Sequence, residues 1–276
     1  MFFRAASVAD AGARIAGPHV PEPNRWPDTE ARNKVDAMDR LARTGGASVV
    51  FAGSSMINVA ADPLAIGAVL GNERPVFNAA LNGSDMRLMD AWITGVVLPR
   101  LHPQTVVLGM AARDLNEHGV AQNVRFNAFA SSPAGKQVLG DETLVDSAER
   151  RLESASALFR YRTSLRRPWT AIRGERRDPG ACSPLGVLEA LPLVNQVPYR
   201  ISPAFRMTTV DGFRDYAIGP AEVAAVRHIA TVLALGHIRL VVVSMPVTDD
   251  VIDLHPGGRP RRISTEEPLP GPCSRV

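Results

Sequence analysis

The chain has 276 residues, 45% of them hydrophobic and 21% charged, an ordinary globular balance with room for one large domain or two small ones. Its formal net charge is +3, carried almost wholly by arginine, since Lys34 and Lys136 are the only lysines. No run of about 18 apolar residues suggests a membrane-spanning helix, and Cys182 and Cys273 stand too far apart for a metal-binding pair or a disulfide framework.

The first residues, Met1 to Ala6, are too weakly apolar for a signal peptide, which leaves the cytoplasm as the default compartment. Residues 1–26, with Gly17-Pro18, Pro21 and Pro23, are expected to form an extended arm. A helix follows over 28–44. Asp28 caps it, Ala31, Val35, Met38 and Ala42 share one face, and Gly45-Gly46 stop it. The apolar run at 48–52 is the first strand, 63–70 a short helix and 75–80 a second strand. The turn Asn82-Gly83-Ser84-Asp85 feeds a helix, with Ser84 as N-cap and Asp85 in the first turn. Leu88, Met89, Trp92, Ile93, Val96 and Val97 give that helix its apolar stripe, and Pro99 and Pro103 bracket its end.

A third strand is expected at 105–108. A helix at 142–160 should be capped by Asp141 and bury Leu144, Leu152, Ala155 and Phe159. Residues 161–218 form an irregular Arg-rich insertion or lid. Its arginines, between Arg160 and Arg177, meet few acidic residues and poor aromatic interleaving. They suit a solvated segment better than a nucleic-acid patch. Pro220 opens a helix with Val223, Val226, Ile229 and Leu233 inward and Gly236 at its end. The fourth strand covers 238–243, and the Pro- and Arg-rich 256–276 is a disordered tail. Strands alternating with helices over 27–255 predict one α/β domain with a parallel sheet and helices on both faces.

In such a sheet, ligands and chemistry collect at the C-terminal ends of the strands. Those ends carry Gly53-Ser54-Ser55, then Asn78 and Asn82-Gly83, then Gly109 through Asn116. Two adjacent serines after a strand suit a nucleophile or an anion-binding loop. They equally suit a plain turn and helix cap. No His, Cys, Asp or Glu spacing calls for a metal, and nothing calls for a cofactor.

The order and spacing of these three blocks resemble the SGNH/GDSL hydrolase superfamily, in particular its divergent actinobacterial-type members. The resemblance covers about residues 45–118 by motif and 219–248 by pattern. It implies a three-layer α/β/α fold with a mostly parallel, flavodoxin-like sheet. It implies a serine esterase or acyltransferase acting on small acyl esters, such as acetyl groups on a glycan, through a covalent acyl-enzyme. Carried over, Ser55 is the nucleophile, with its N–H and that of Gly83 as oxyanion donors. Ser54, Asn82, Arg113 and Asn116 are placed at the substrate. The third block departs from the family pattern: Ala111-Ala112 stand where an asparagine is usual, and Arg113 and Asn116 are the side chains that offer a donor instead.

The family's base lies in an Asp-x-x-His block after a fifth strand. Here His255, with Asp250 and Asp253 beside it, is the nearest counterpart, although the spacing differs and the fifth strand has not yet occurred. The sheet is therefore expected to lack its last strand, with the chain truncated or out of frame near its end. Two rival functions remain. One is a non-catalytic carbohydrate- or acyl-binding module on the same fold, and the other is an anion site at Gly53-Ser54-Ser55.

Overall fold

Helix α1, Thr29–Ala42, begins where the Asp28 carboxylate accepts the Ala31 N–H at 2.8 Å. Its inner face buries Ala31, Val35 and Met38, as the periodicity predicts, and also Lys34; Ala42 is exposed instead. The computed structural model describes residues 10–14, 25–71, 75–162, 183–187 and 216–246. Within the stretch expected as an extended arm, residues 10–14 are helical, with Asp10 paired to Arg14 at 2.9 Å and accepting from Ser156 at 2.7 Å.

Strand β1, Val49–Gly53, is followed by helices α2, Ser55–Ala60, and α3, Pro63–Leu70, and then by β2, Val76–Asn78. Helix α4, Met86–Trp92, runs through a π-helical turn at Ile93–Val97 into α5, Leu98–Leu101. Pro99 sits in that last turn, where it cannot donate to a regular helical ladder, and the wider turn lies just before it. Strand β3, Thr105–Met110, leads into a 3₁₀ turn, Ala112–Leu115. Helices α6, Val120–Ser131, and α7, Pro133–Leu139, were not anticipated. Helices α8, Leu144–Ala155, and α9, Ala157–Arg160, follow. Helix α10, Pro220–Leu235, feeds the last described strand, β4, Arg239–Ser244.

The four strands pair in the order β2-β1-β3-β4, all parallel, so the fold is α/β with a parallel sheet flanked by helices, in keeping with three α/β/α layers. Register follows the strand ends: Gly53 lies opposite Gly109, and Met110 opposite Ser244. Side chains alternate across the sheet. Val50, Ala52, Val106 and Leu108 enter the main core with Met38, Met89, Trp92, Ile229 and Leu233. Trp92 anchors this core by donating its Nε1–H to the Ala79 carbonyl at 2.9 Å, with Trp26 edge-on at 5.7 Å. Phe51 points the other way, toward a smaller cluster of Ile57, Ala61, Ala80, Ala111 and Met245.

Several expectations need correction. The N-cap of α4 is Asp85, which accepts the Leu88 N–H at 2.8 Å, because the Ser84 hydroxyl turns back to the Gly53 and Leu81 carbonyls. The helix expected over 142–160 is broken at Ser156, and Thr143, in a reciprocal capping box with Asp146, replaces Asp141 as its cap. Its apolar residues are not buried: Leu144 is 91% and Leu152 50% exposed. In α10, Ile229 and Leu233 face inward as expected, but Ala225 and Glu222 complete the buried stripe, leaving Val223 and Val226 half-buried. Of the arginine cluster, Arg160 is exposed and Arg162 is held by Glu153 at 2.8 Å over the Phe159 ring. The other arginines of that cluster, most of the insertion, His255, Asp250, Asp253 and the tail from 256 lie outside the described residues.

Candidate functional site

The end of β1 is a place where two backbones nearly touch. Gly53 has φ +144, and a Cβ there would lie 2.4 Å from the Gly109 carbonyl on the neighbouring strand. Only glycine satisfies both the conformation and the space. The chain then turns at Ser54 into α2, whose first residue is Ser55.

The two serines part ways here. Ser54 occupies the N-cap position, yet its hydroxyl makes no cap bond. It is 1% exposed and donates to Asp114 Oδ2 at 3.1 Å. Ser55 is half-buried, and its Oγ accepts a 2.8 Å hydrogen bond from Arg113 Nη2. A guanidinium only donates, so Oγ keeps its own proton free for another partner.

Asp114 organises the β3 end. It is fully buried, its Oδ2 also accepts the Ala111 N–H at 2.9 Å, and its Oδ1 lies 3.4 Å from Arg113 Nε. That last approach is too poorly aligned for a hydrogen bond, and neither atom has another partner among the described residues. Burial pushes the Asp114 carboxyl above its ordinary range, against the opposing pull of the Arg113 charge and the hydrogen bonds. Tyr216 donates to the Ala112 carbonyl at 3.1 Å, and burial together with the Asp114 charge raises its phenol.

The Asn82-Gly83 turn is docked directly on β1. The Gly53 carbonyl accepts both the Leu81 N–H at 3.0 Å and the Ser84 hydroxyl at 3.2 Å. Gly83 has φ +68, a left-handed conformation that suits glycine. Asn82 is held on every side: its N–H by Glu30 at 3.2 Å, its side-chain oxygen by Asn58 at 3.0 Å and its carbonyl by Arg125. Asn58 lies one turn beyond Ser55 on α2. It also donates to Glu30 at 2.8 Å and accepts from the buried Lys34 ammonium at 2.9 Å. Lys34 donates again to the Asn78 carbonyl at 3.0 Å.

Of the residues chosen from sequence, the structure thus gathers Ser54, Ser55 and Arg113 around Asp114, through two hydrogen bonds joined by the Arg113–Asp114 ion pair. Gly83 and Asn82 lie on the turn that caps the same strand. Asn116 stands apart in role: it is 2% exposed, and its Oδ1 accepts the backbone N–H groups of Ala217 and His118, tying that loop to residue 217. Among the described residues, no histidine is hydrogen-bonded to Ser55; His228 of α10 pairs with Asp90 of α4 at 2.8 Å. No group of three or more potential metal ligands occurs among the described residues. No described helix is long and apolar enough to cross a membrane.

Glu30, Lys34, Asn58 and Arg125 were not singled out from sequence, whereas Arg113-Asp114 reads there as an ion pair that fixes the loop, as it is here. Of those four, only Lys34 left a signal: it falls between Ala31 and Met38 on the apolar face of α1, where a lone lysine demands internal partners. Comparison with known proteins gives no match to a family model, to a curated protein or to a solved structure.

Proposed function

We propose that this chain is a serine acyl hydrolase or acyltransferase of the SGNH type, with Ser55 as nucleophile. The observation that carries the reading is the 2.8 Å hydrogen bond from Arg113 to Ser55 Oγ at the ends of two adjacent parallel strands. Arg113 follows the Ala111-Ala112 pair that stands where the family keeps an asparagine. Its cation is placed to stabilise negative charge developing beside Oγ. The backbone N–H groups of Ser55 and Gly83 complete the donor set. One such donor is worth about 3–4 kcal/mol of transition-state stabilisation.

In the reaction, Ser55 Oγ attacks the carbonyl carbon of a small acyl ester, such as a glycan O-acetyl group, and its proton passes to a general base. The bond to the alcohol breaks, and the alcohol leaves with that proton. Water or an acceptor hydroxyl then takes the acyl group from Ser55. The base assigned in this proposal is His255.

A fluorophosphonate probe tests the reading. The expected result is labelling of the wild type and of Ser54→Ala, and none of Ser55→Ala. An unlabelled wild type, or labelling that survives Ser55→Ala, overturns it. A second reading, a non-catalytic module that binds an acyl or carbohydrate group, is favoured by Ala111-Ala112 standing where the family keeps an asparagine. It predicts an unlabelled wild type that still binds an O-acetylated glycan, with binding weakened by Arg113→Ala.

A further inference from the structure

We propose that Arg125 is a positioning residue for the Gly83 N–H, an inference that rests on the hydrolase reading of the site. The argument begins with the peptide that joins Asn82 to Gly83. It is trans, as are all the described peptide bonds, so its carbonyl and its N–H point in opposite directions. Whatever holds the Asn82 carbonyl therefore aims the Gly83 N–H. That group is the Arg125 guanidinium, which donates from Nη1 to the Asn82 oxygen.

Arg125 is itself fixed from the other side. Its Nη2 lies 2.9 Å from both Glu30 and Asp28, the first turn and the cap of α1. Its aliphatic stem passes over Gly83, within 3.8 Å of where a Cβ would stand. Glu30 closes the clamp by accepting the Asn82 N–H, and Asn58, on the helix that begins with Ser55, holds the Asn82 side chain. The planar fork of arginine suits this work because it reaches a carbonyl and two carboxylates together; a lysine ammonium presents a single point charge. Helices α1 and α6, neither of which supplies a motif residue, thus set the direction of a donor that acts on the substrate. Displacing such a donor by about 1 Å costs about 100-fold in rate.

The test uses the full chain with Arg125→Met, Arg125→Lys and Glu30→Gln. Arg100→Ala serves as control, since it breaks only a surface pair with Asp39 and a bond to the Val96 carbonyl. The readouts are kcat and KM on a soluble acetyl ester, the rate of fluorophosphonate labelling, and the amide resonance and hydrogen exchange of Gly83. Arg125→Met should lower kcat and labelling by about 10- to 100-fold with KM within about twofold. Arg125→Lys should recover part of that loss, and the Gly83 amide should shift in both. Glu30→Gln, which keeps an acceptor for the Asn82 N–H, gives a milder form of the same change should Arg125→Met fail to fold. A folded Arg125→Met with wild-type kcat and an unshifted Gly83 amide overturns the inference while leaving the hydrolase reading intact. An unlabelled wild type overturns the hydrolase reading, and the Gly83 amide in Arg125→Met then decides the positioning role by itself.

Discussion

Strands β1 and β4 are both short apolar runs, Val-Val-Phe-Ala-Gly and Arg-Leu-Val-Val-Val-Ser, and their surroundings could hardly differ more. In β1, Val50 and Ala52 are wholly buried, both edges are paired, and the strand end is locked to β3 and to the Asn82-Gly83 turn. In β4, Val241, Val242 and Val243 remain 37–49% exposed, and among the described strands only β3 pairs with it. What packs against a strand's faces, rather than its composition, decides how much its apolar surface contributes. The candidate site sits at the well-buried end of this contrast.

The contrast can be tested from its strongest side downward. Trp92→Ala should cost about 3–5 kcal/mol in urea denaturation, because it empties the core beneath β1 and strands the Ala79 carbonyl. A loss below 1 kcal/mol would mean that the core is not packed as described. Gly53→Ala should cost about 2–3 kcal/mol, since its Cβ meets the Gly109 carbonyl. If the site reading holds, it should also remove fluorophosphonate labelling while the protein stays folded.

A smaller effect concerns Asp114 and pH. Burial raises its folded-state pKa above the ordinary 3.8, so between those values the folded chain holds a proton that the unfolded chain has lost. Stability should therefore fall as pH rises from about 3.8 through the raised value, and Asp114→Asn should flatten that part of the profile. A wild type that gains stability over the same window would place Asp114 in a far more favourable charged state than its burial implies. The smallest expected change is Val242→Ala, below about 1 kcal/mol. A loss as large as that of Val50→Ala would show that β4 is covered in solution.

Much of the fold was legible because its signals are local. The four strands, the Asp28 cap and the helix opened by Pro220 each rest on residues adjacent in the chain. The misreadings share a cause. Ser84 and Asp85 are both competent caps, and only the nearby Gly53 carbonyl determines which hydroxyl or carboxylate is left to do it. The apolar spacing of Leu144 and Leu152 matches a buried stripe as well as that of Val35 and Met38, but nothing among the described residues buries it.

The same division runs through the site. Sequence alone determined that two serines follow a strand, that a glycine turn and a third strand end lie beside them, and that the sheet is parallel, because strand, turn and helix signals are written in neighbouring residues. Only tertiary structure decided that Ser54 turns to Asp114 while Ser55 meets Arg113, and that Glu30, Asn58 and Arg125 grip Asn82. Those contacts join residues up to 60 positions apart. A hydrogen bond depends on ångström distances and on direction, and a linear pattern carries neither until the sheet has brought its strand ends together.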